Sequence, residues 1–228
     1  MTHRTTPTPQ SLTRAAGVAA TAAGLIFIGV QLNHPHLDVT SIATTEVVVR
    51  SSLKVLMCAL ALAGFTGMHL SQIRRNGLLG LVGYTLISAG YLLVLATTLA
   101  SAYVLPHVVS SDPGFVEDFI AAATGGSPSG DLGALGVVLQ LQGFAYLGGG
   151  LLFGIALFRA GVLARWATLL LAIGGLVSAL LTVMPDAFYR LLAFPNGIAM
   201  IGLGLSLWAS ARLVTTRPAE GARTAGAR

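Results

Sequence analysis

Three histidines and a set of carboxylates stand at the ends of apolar stretches, and these are the side chains best suited to chemistry. His34, His36 and Asp38 follow the first stretch, His107 ends the third, and Glu46, Asp112 and Asp186 begin or flank others. With each stretch crossing a membrane in turn, all of them fall on one side. The imidazoles of His34, His36 and His107 with the Asp38 carboxylate make a ligand set for zinc or another divalent metal. The same side offers His34, His36, His107, Glu46 and Asp186 as candidate catalytic groups for an enzyme acting on a lipid or isoprenoid. Spacing lends no support, because His-Pro-His is not a recognised metal motif and Pro35 alone explains a turn. Asp186, after Pro185 and four residues before Arg190, equally opens a short helix with an internal ion pair.

A second group of polar residues lies within the apolar stretches. Tyr84, Ser88 and Tyr91 recur at i, i+4 and i+7. With Gln140 and Gln142 they form an internal polar seam, which either bonds helix to helix or lines a cavity for an apolar solute. His69 sits near Gln72 and the Arg74-Arg75 pair, but no second histidine shares its depth, so a bis-histidine haem is not expected there. Cys58 is the lone cysteine; it reads as a small buried apolar residue, and no disulfide within the chain can form. No acid or base falls near the middle of a stretch, which counts against ion-coupled transport. No phosphate loop, G-x-S-x-G, H-E-x-x-H or cysteine pair identifies a nucleophile or a cofactor.

The elements that must position these residues are six apolar stretches of roughly 20 residues each, long enough to cross a bilayer as helices. They run approximately over 15–32, 53–72, 78–104, 134–158, 163–184 and 195–213. The expectation is an all-α, six-helix transmembrane domain over 15–214, between disordered tails at 1–14 and 215–228. The first stretch is too long for a signal peptide and ends in VQLNHPH rather than a small-x-small cleavage site. No three-plus-three repeat of the transporter kind is apparent.

Charge orients the bundle. Ten of the thirteen Lys and Arg fall on the side of the two termini and the short connections at 71–77 and 159–165; only Arg50, Lys54 and Arg190 face the other way. Seven of the eight acids take that opposite side. The positive-inside bias therefore puts both termini in the cytoplasm. It also accounts for the net charge of +5 without a nucleic-acid partner, since the basic residues do not gather on one face. Twelve Arg against one Lys, with abundant Ala, Gly and Leu, fits a GC-rich bacterium and so a plasma-membrane location.

Glu46, Arg50 and Lys54 recur every four residues and read as a salt-bridge ladder on a water-side extension of the second helix. Asp112-Pro113 and Gly125-Gly126 bracket a short helix, whose Phe115, Phe119 and Ile120 suit a segment lying on the outer membrane surface or a lid. Ala16, Ala20 and Gly24, and Gly150 and Gly154, have the spacing of close helix contacts, within the bundle or between two copies. Trp166 and Trp208 at one boundary, and Tyr103, Phe188 and Tyr189 at the other, match interfacial belts.

The run YLGGGLLFGIALFRAGVLARWATLLLAIGGL, with the early TRAAG, resembles a broad family of uncharacterised small bacterial integral membrane proteins. The shared positions are Arg14, Ala16, Gly17, Gly149, Phe153, Phe158, Arg159, Leu163, Arg165 and Trp166. The resemblance implies the fold and no activity. The leading expectation is a non-catalytic accessory or lipid-facing membrane component with lipids as partners and homo-oligomers formed through the small-residue faces. The outer-leaflet enzyme or metal protein and the carrier for an apolar solute remain as alternatives.

Overall fold

The structure, a computed structural model, describes residues 6, 8–32, 34–181, 191 and 193–213. Those residues are helical or loop, with no strand among them. The helices are α1 (Pro9–Gln31), α2 (Thr45–Ser71), α3 (Ile73–Tyr103), α4 (Leu105–Val108), α5 (Pro113–Ala123), α6 (Ala134–Ala160), α7 (Arg165–Leu181) and α8 (Ala193–Leu213). Five of them, α1, α2, α3, α6 and α8, are long and apolar enough to cross a membrane, while α7 is apolar but shorter.

Local chemistry sets the ends. Thr8 and Ser11 form a reciprocal capping box with Pro9 in the first turn, so α1 begins inside the stretch expected to be a tail. Thr44 caps α2 through the Val47 amide, and the helix starts eight residues before the apolar run, as the expected extension requires. Gly77 adopts φ +55°, a left-handed conformation that side chains with a Cβ rarely take. It breaks the 71–77 connection into a single helical turn followed by the long body of α3. Gly161, also left-handed, closes α6.

The long helices form a closed ring in which α1 packs on α2, α2 on α3, α3 on α6, α6 on α7, α7 on α8, and α8 back on α1. Small residues permit the close approaches. A Cβ on Gly83 would stand 2.7 Å from the Phe153 Cα, and one on Gly90 would stand 2.6 Å from the Tyr146 nitrogen, so α3 and α6 touch backbone to backbone. Ala20 and Ala16 of α1 fill the space over Gly64 and Gly67 of α2, Gly24 faces Gly197 and Ile201 of α8, and Gly154 faces Ala172 of α7. The small-residue faces are thus spent inside one chain. In lipid, where apolar side chains gain nothing by leaving solvent, such contacts carry much of the association.

Two apolar cores result. The larger fills the ring with Phe65, Phe153, Ile87, Met68, Leu203, Leu207 and their neighbours. The smaller lies at the end of the ring bearing α4 and α5, here the cap end. There Val116, Phe119 and Ile120 of α5 pack on Ile42, Val47, Leu105 and Leu139. Helix α5 has the expected bounds, and its apolar side packs on α2, α4, α6 and the 32–44 loop of the same chain. The opposite end, with the α2–α3 turn, is the hairpin end. Around the ring, large apolar side chains point outward, with Leu78 and Phe144 each 75% exposed.

Candidate functional site

At the cap end, Arg50 reaches from α2 to the last turn of α1. Its Nη1 donates to the carbonyls of Val30 and Leu32, at 2.9 Å each. Its Nε donates to Glu46 at 3.0 Å, and Nη2 lies 2.8 Å from the same carboxylate. A helix C-terminus presents carbonyls without partners and a partial negative charge, and a guanidinium answers both. Lys54, one turn further on, does not extend the ladder. Its Nζ lies 3.1 Å from His34 Nε2, while His34 Nδ1 lies 2.7 Å from the Pro35 carbonyl. A carbonyl only accepts, so Nδ1 carries the hydrogen and Nε2 accepts from the ammonium. His34 is thus held between its own loop and the Lys54 side chain.

The remaining candidates at this end do not converge. Asp38 folds back on its own turn, accepting from the Thr40 amide and hydroxyl and from the Ser41 amide at 2.6–2.8 Å. The Thr40 hydroxyl and the Ser41 amide hold its carboxyl down to about 2. Asp112 caps α5 through the Phe115 amide, as expected. Asp118 ties down the 124–133 loop through the amides of Ser129 and Gly130, which lower its pKa. His36 and His107 are exposed, and Glu46 is engaged by Arg50. Among the described residues no three His, Cys, Asp or Glu side chains come together as a metal site. The expected ligand set of His34, His36, Asp38 and His107 is not assembled, because each member is either solvent-facing or committed to a local bond. Asp186, Pro185, Arg190, Phe188 and Tyr189 lie outside the described residues.

Inside the ring, Tyr84 and Ser88 are half-buried and Tyr91 is buried, and other polar residues lie beside them. Tyr91 is buried in the core, 3.6 Å from the Met200 sulfur and with its ring 5.3 Å from that of Tyr146. The Tyr146 hydroxyl accepts from Asn196 Nδ2 at 3.1 Å. These three side chains, with Ile87, Gly150, Leu171 and Gly175, line a void of about 10 Å³, enough for about one water. Gln142 bonds Thr97 at 2.7 Å across α3 and α6. Gln140 faces outward and is not part of the seam.

Toward the hairpin end the polar line continues. The Tyr84 and Thr66 hydroxyls are 2.9 Å apart, and the His69 ring stacks on Tyr84 at 4.6 Å with its plane tilted by only 6°. His69, Gln72 and Asn76 are 5%, 3% and 5% exposed. Four of their polar atoms, His69 Nδ1, Gln72 Oε1, Asn76 Oδ1 and Asn76 Nδ2, find no hydrogen-bond partner in the protein, and neither does the buried Ser88 Oγ. Each such atom costs about 1–3 kcal/mol when nothing satisfies it.

Reading the residues alone missed Tyr146, Asn196 and Asn76. Tyr146 lies 55 residues from Tyr91 along the chain, and only the α3–α6 contact joins them. Asn76 looked like part of a solvated connection, and only burial marks it. Compared with family models, with curated proteins and with solved structures, the chain matches none.

Proposed function

We propose that the chain crosses the plasma membrane six times, with α7 as the fifth span and with both termini and the hairpin end in the cytoplasm, and that it serves there as a non-catalytic accessory or lipid-facing component. The charge distribution supports the orientation, since Arg74, Arg75, Arg159 and Arg165 sit at the hairpin end and the described acids at the cap end. The motif residues from Arg14 to Trp166 support kinship with small bacterial integral membrane proteins of the same build. Lipids are the partner this surface suits, given the outward ring of leucines and Phe144. Pairing of two copies through the small-residue faces is not part of this reading, because those residues pack against other helices of the same chain.

The observation that carries the proposal is the way the cap-end groups are spent. His34, Asp38, Glu46, Asp112 and Asp118 each serve a turn, a cap or an ion pair, and no two of them share an open cleft with a third. The void beside Tyr91, Tyr146 and Asn196 has room for about one water and so lends a carrier for an apolar solute no support.

The test is the metal content and visible absorption of the detergent-purified protein, beside a variant carrying His34→Ala, His36→Ala and His107→Ala. Metal-free, colourless protein in both is expected. A stoichiometric metal that disappears in the variant overturns the proposal and restores the metal-site alternative.

A further inference from the structure

The polar groups of α2 and α3 fall into two sets separated by one aromatic contact. On the hairpin side stand Asn76, Gln72, His69 and the Tyr84–Thr66 pair. On the other side stand Tyr91 and Tyr146, with Asn196 beyond. Between them Phe65 and Phe153, both fully buried, meet edge to face at 6.0 Å. This pair touches both sets: Phe65 lies 5.1 Å from Tyr91, and Phe153 lies 6.1 Å from Tyr84 and 6.4 Å from His69. Ser88 is one turn from Tyr84 and one turn from Tyr91 on α3, so its unpartnered hydroxyl bridges the level of the aromatic contact.

A helical bundle that needed only to pack would fill the hairpin side with leucine. Instead it buries an imidazole and two amides whose free atoms include acceptors and donors. Water, which both gives and takes hydrogen bonds, is the small molecule that suits such a mixed demand. An imidazole within such a hydrated group does what an amide cannot, since it accepts a proton on one ring nitrogen while giving one up from the other.

We propose that α2 and α3 enclose a proton path, in which water held by Asn76 and Gln72 delivers protons to His69, and the Phe65–Phe153 contact forms the barrier to the Tyr91–Tyr146 pair. In each passage the imidazole takes a proton at Nδ1 from that water and gives one up from Nε2 to a second water, held past the aromatic contact in the small void beside Tyr91, Tyr146 and Asn196. Its charge is therefore restored and only its tautomer changes until the ring resets. The groups around His69 leave it without a carboxylate: Tyr84 faces it from α3, Phe153 from α6, Arg74 and Arg75 lie on the exposed turn, and every described acid belongs to the cap end. The inference goes beyond the accessory role and does not rest on it.

The experiment uses the full chain in liposomes of phosphatidylcholine and phosphatidylglycerol that enclose a pH-sensitive dye, with valinomycin and a potassium gradient driving protons inward. Phe65→Ala, which thins the barrier, is expected to carry protons several-fold faster than wild type. Adding His69→Gln to Phe65→Ala is expected to return the flux to that of protein-free liposomes, and adding Asn76→Leu instead to lower it severalfold. Equal helicity and elution volume of the variants certify folding. Phe65→Ala liposomes no faster than protein-free ones overturn the proposal. So does a double variant with His69→Gln that conducts as well as Phe65→Ala, since the flux would then run outside the path. The metal measurement is unaffected by either result, so the two proposals fail separately.

Discussion

The cap end and the hairpin end treat polar groups in opposite ways. At the cap end Asp38 and Asp112 act within a few residues, Asp118 on the loop that follows its helix and Arg50 across one helix contact, and each has its bonds made. At the hairpin end His69, Gln72 and Asn76 are more deeply buried and leave four polar atoms without protein partners. A polar group at a loop is cheap to satisfy, because turns and helix ends offer free amides and carbonyls nearby. The hairpin end has helix ends too, yet its buried amides use little of them: Gln72 Nε2 reaches the Met68 carbonyl at 3.4 Å, while Gln72 Oε1 and both Asn76 atoms stay without protein partners. The difference separates residues kept for structure from residues whose burial calls for another reason.

The sharpest way to break this comparison is to break the frame that both ends share. Gly83→Leu places a side chain into the Phe153 backbone. It is expected to cost at least about 3 kcal/mol by overpacking, read as loss of the thermal transition in detergent. At the cap end, Arg50→Ala removes two bonds to α1 carbonyls and the partner of Glu46, with an expected loss of about 2–3 kcal/mol. Glu46→Gln, which spares the carbonyl bonds, is expected to cost only about 0.5 kcal/mol. Equal losses in the two variants would show that the ion pair, not the helix-end contact, is what matters.

Smaller effects test the contrast. Asp112→Ala deletes a satisfied cap and is expected to destabilise α5 by about 1 kcal/mol, visible as faster amide exchange over 113–123. Asn76→Leu deletes two atoms that have no protein partner and are left to water, and is expected to leave stability within about 0.5 kcal/mol of wild type, measured by thermal unfolding. A loss there instead would mean that Asn76 is bonded as firmly as the cap-end residues.

The smallest expected effect is that of pH on the 38–44 turn. The Asp38 carboxyl sits at about 2 in the folded chain against an ordinary 3.8, so its contribution is complete above the ordinary value. It fades as pH falls between the two and is gone below the folded value. Exchange of the Thr40 and Ser41 amides should therefore be flat at neutral pH, once corrected for intrinsic rates, and quicken only within that acid window. Asp38→Asn should remove the step.

Much of the fold was legible in the residues, because length and apolarity suffice to mark a spanning helix. The expected starts at 134 and 195 lie within two residues of α6 and α8, and the Asp112-Pro113 cap and Gly125 stop bracket α5 as read. The start of α1 was missed, because Thr8 and Ser11 cap it without an apolar signal. The Glu46–Arg50 pair was legible from its four-residue spacing. Lys54 continued that spacing, yet it turned to His34, because partners from another segment of chain compete with those on the same helix and spacing cannot rank them. His34, His36, Asp38 and His107 share an end of the bundle but not a site, since a common end fixes one coordinate out of three.

What the sequence alone determined was therefore one-dimensional: which segments are helical and apolar, roughly where most of them begin, and how charge is distributed between their two ends. Those properties follow from local chemistry and from the solvent. The tertiary structure alone decided that α8 closes the ring on α1, that Tyr146 meets Tyr91, and that Asn76 is buried rather than solvated. Each of these depends on which helix face meets which neighbour, and that choice is made by backbone-close packing among residues distant in the chain.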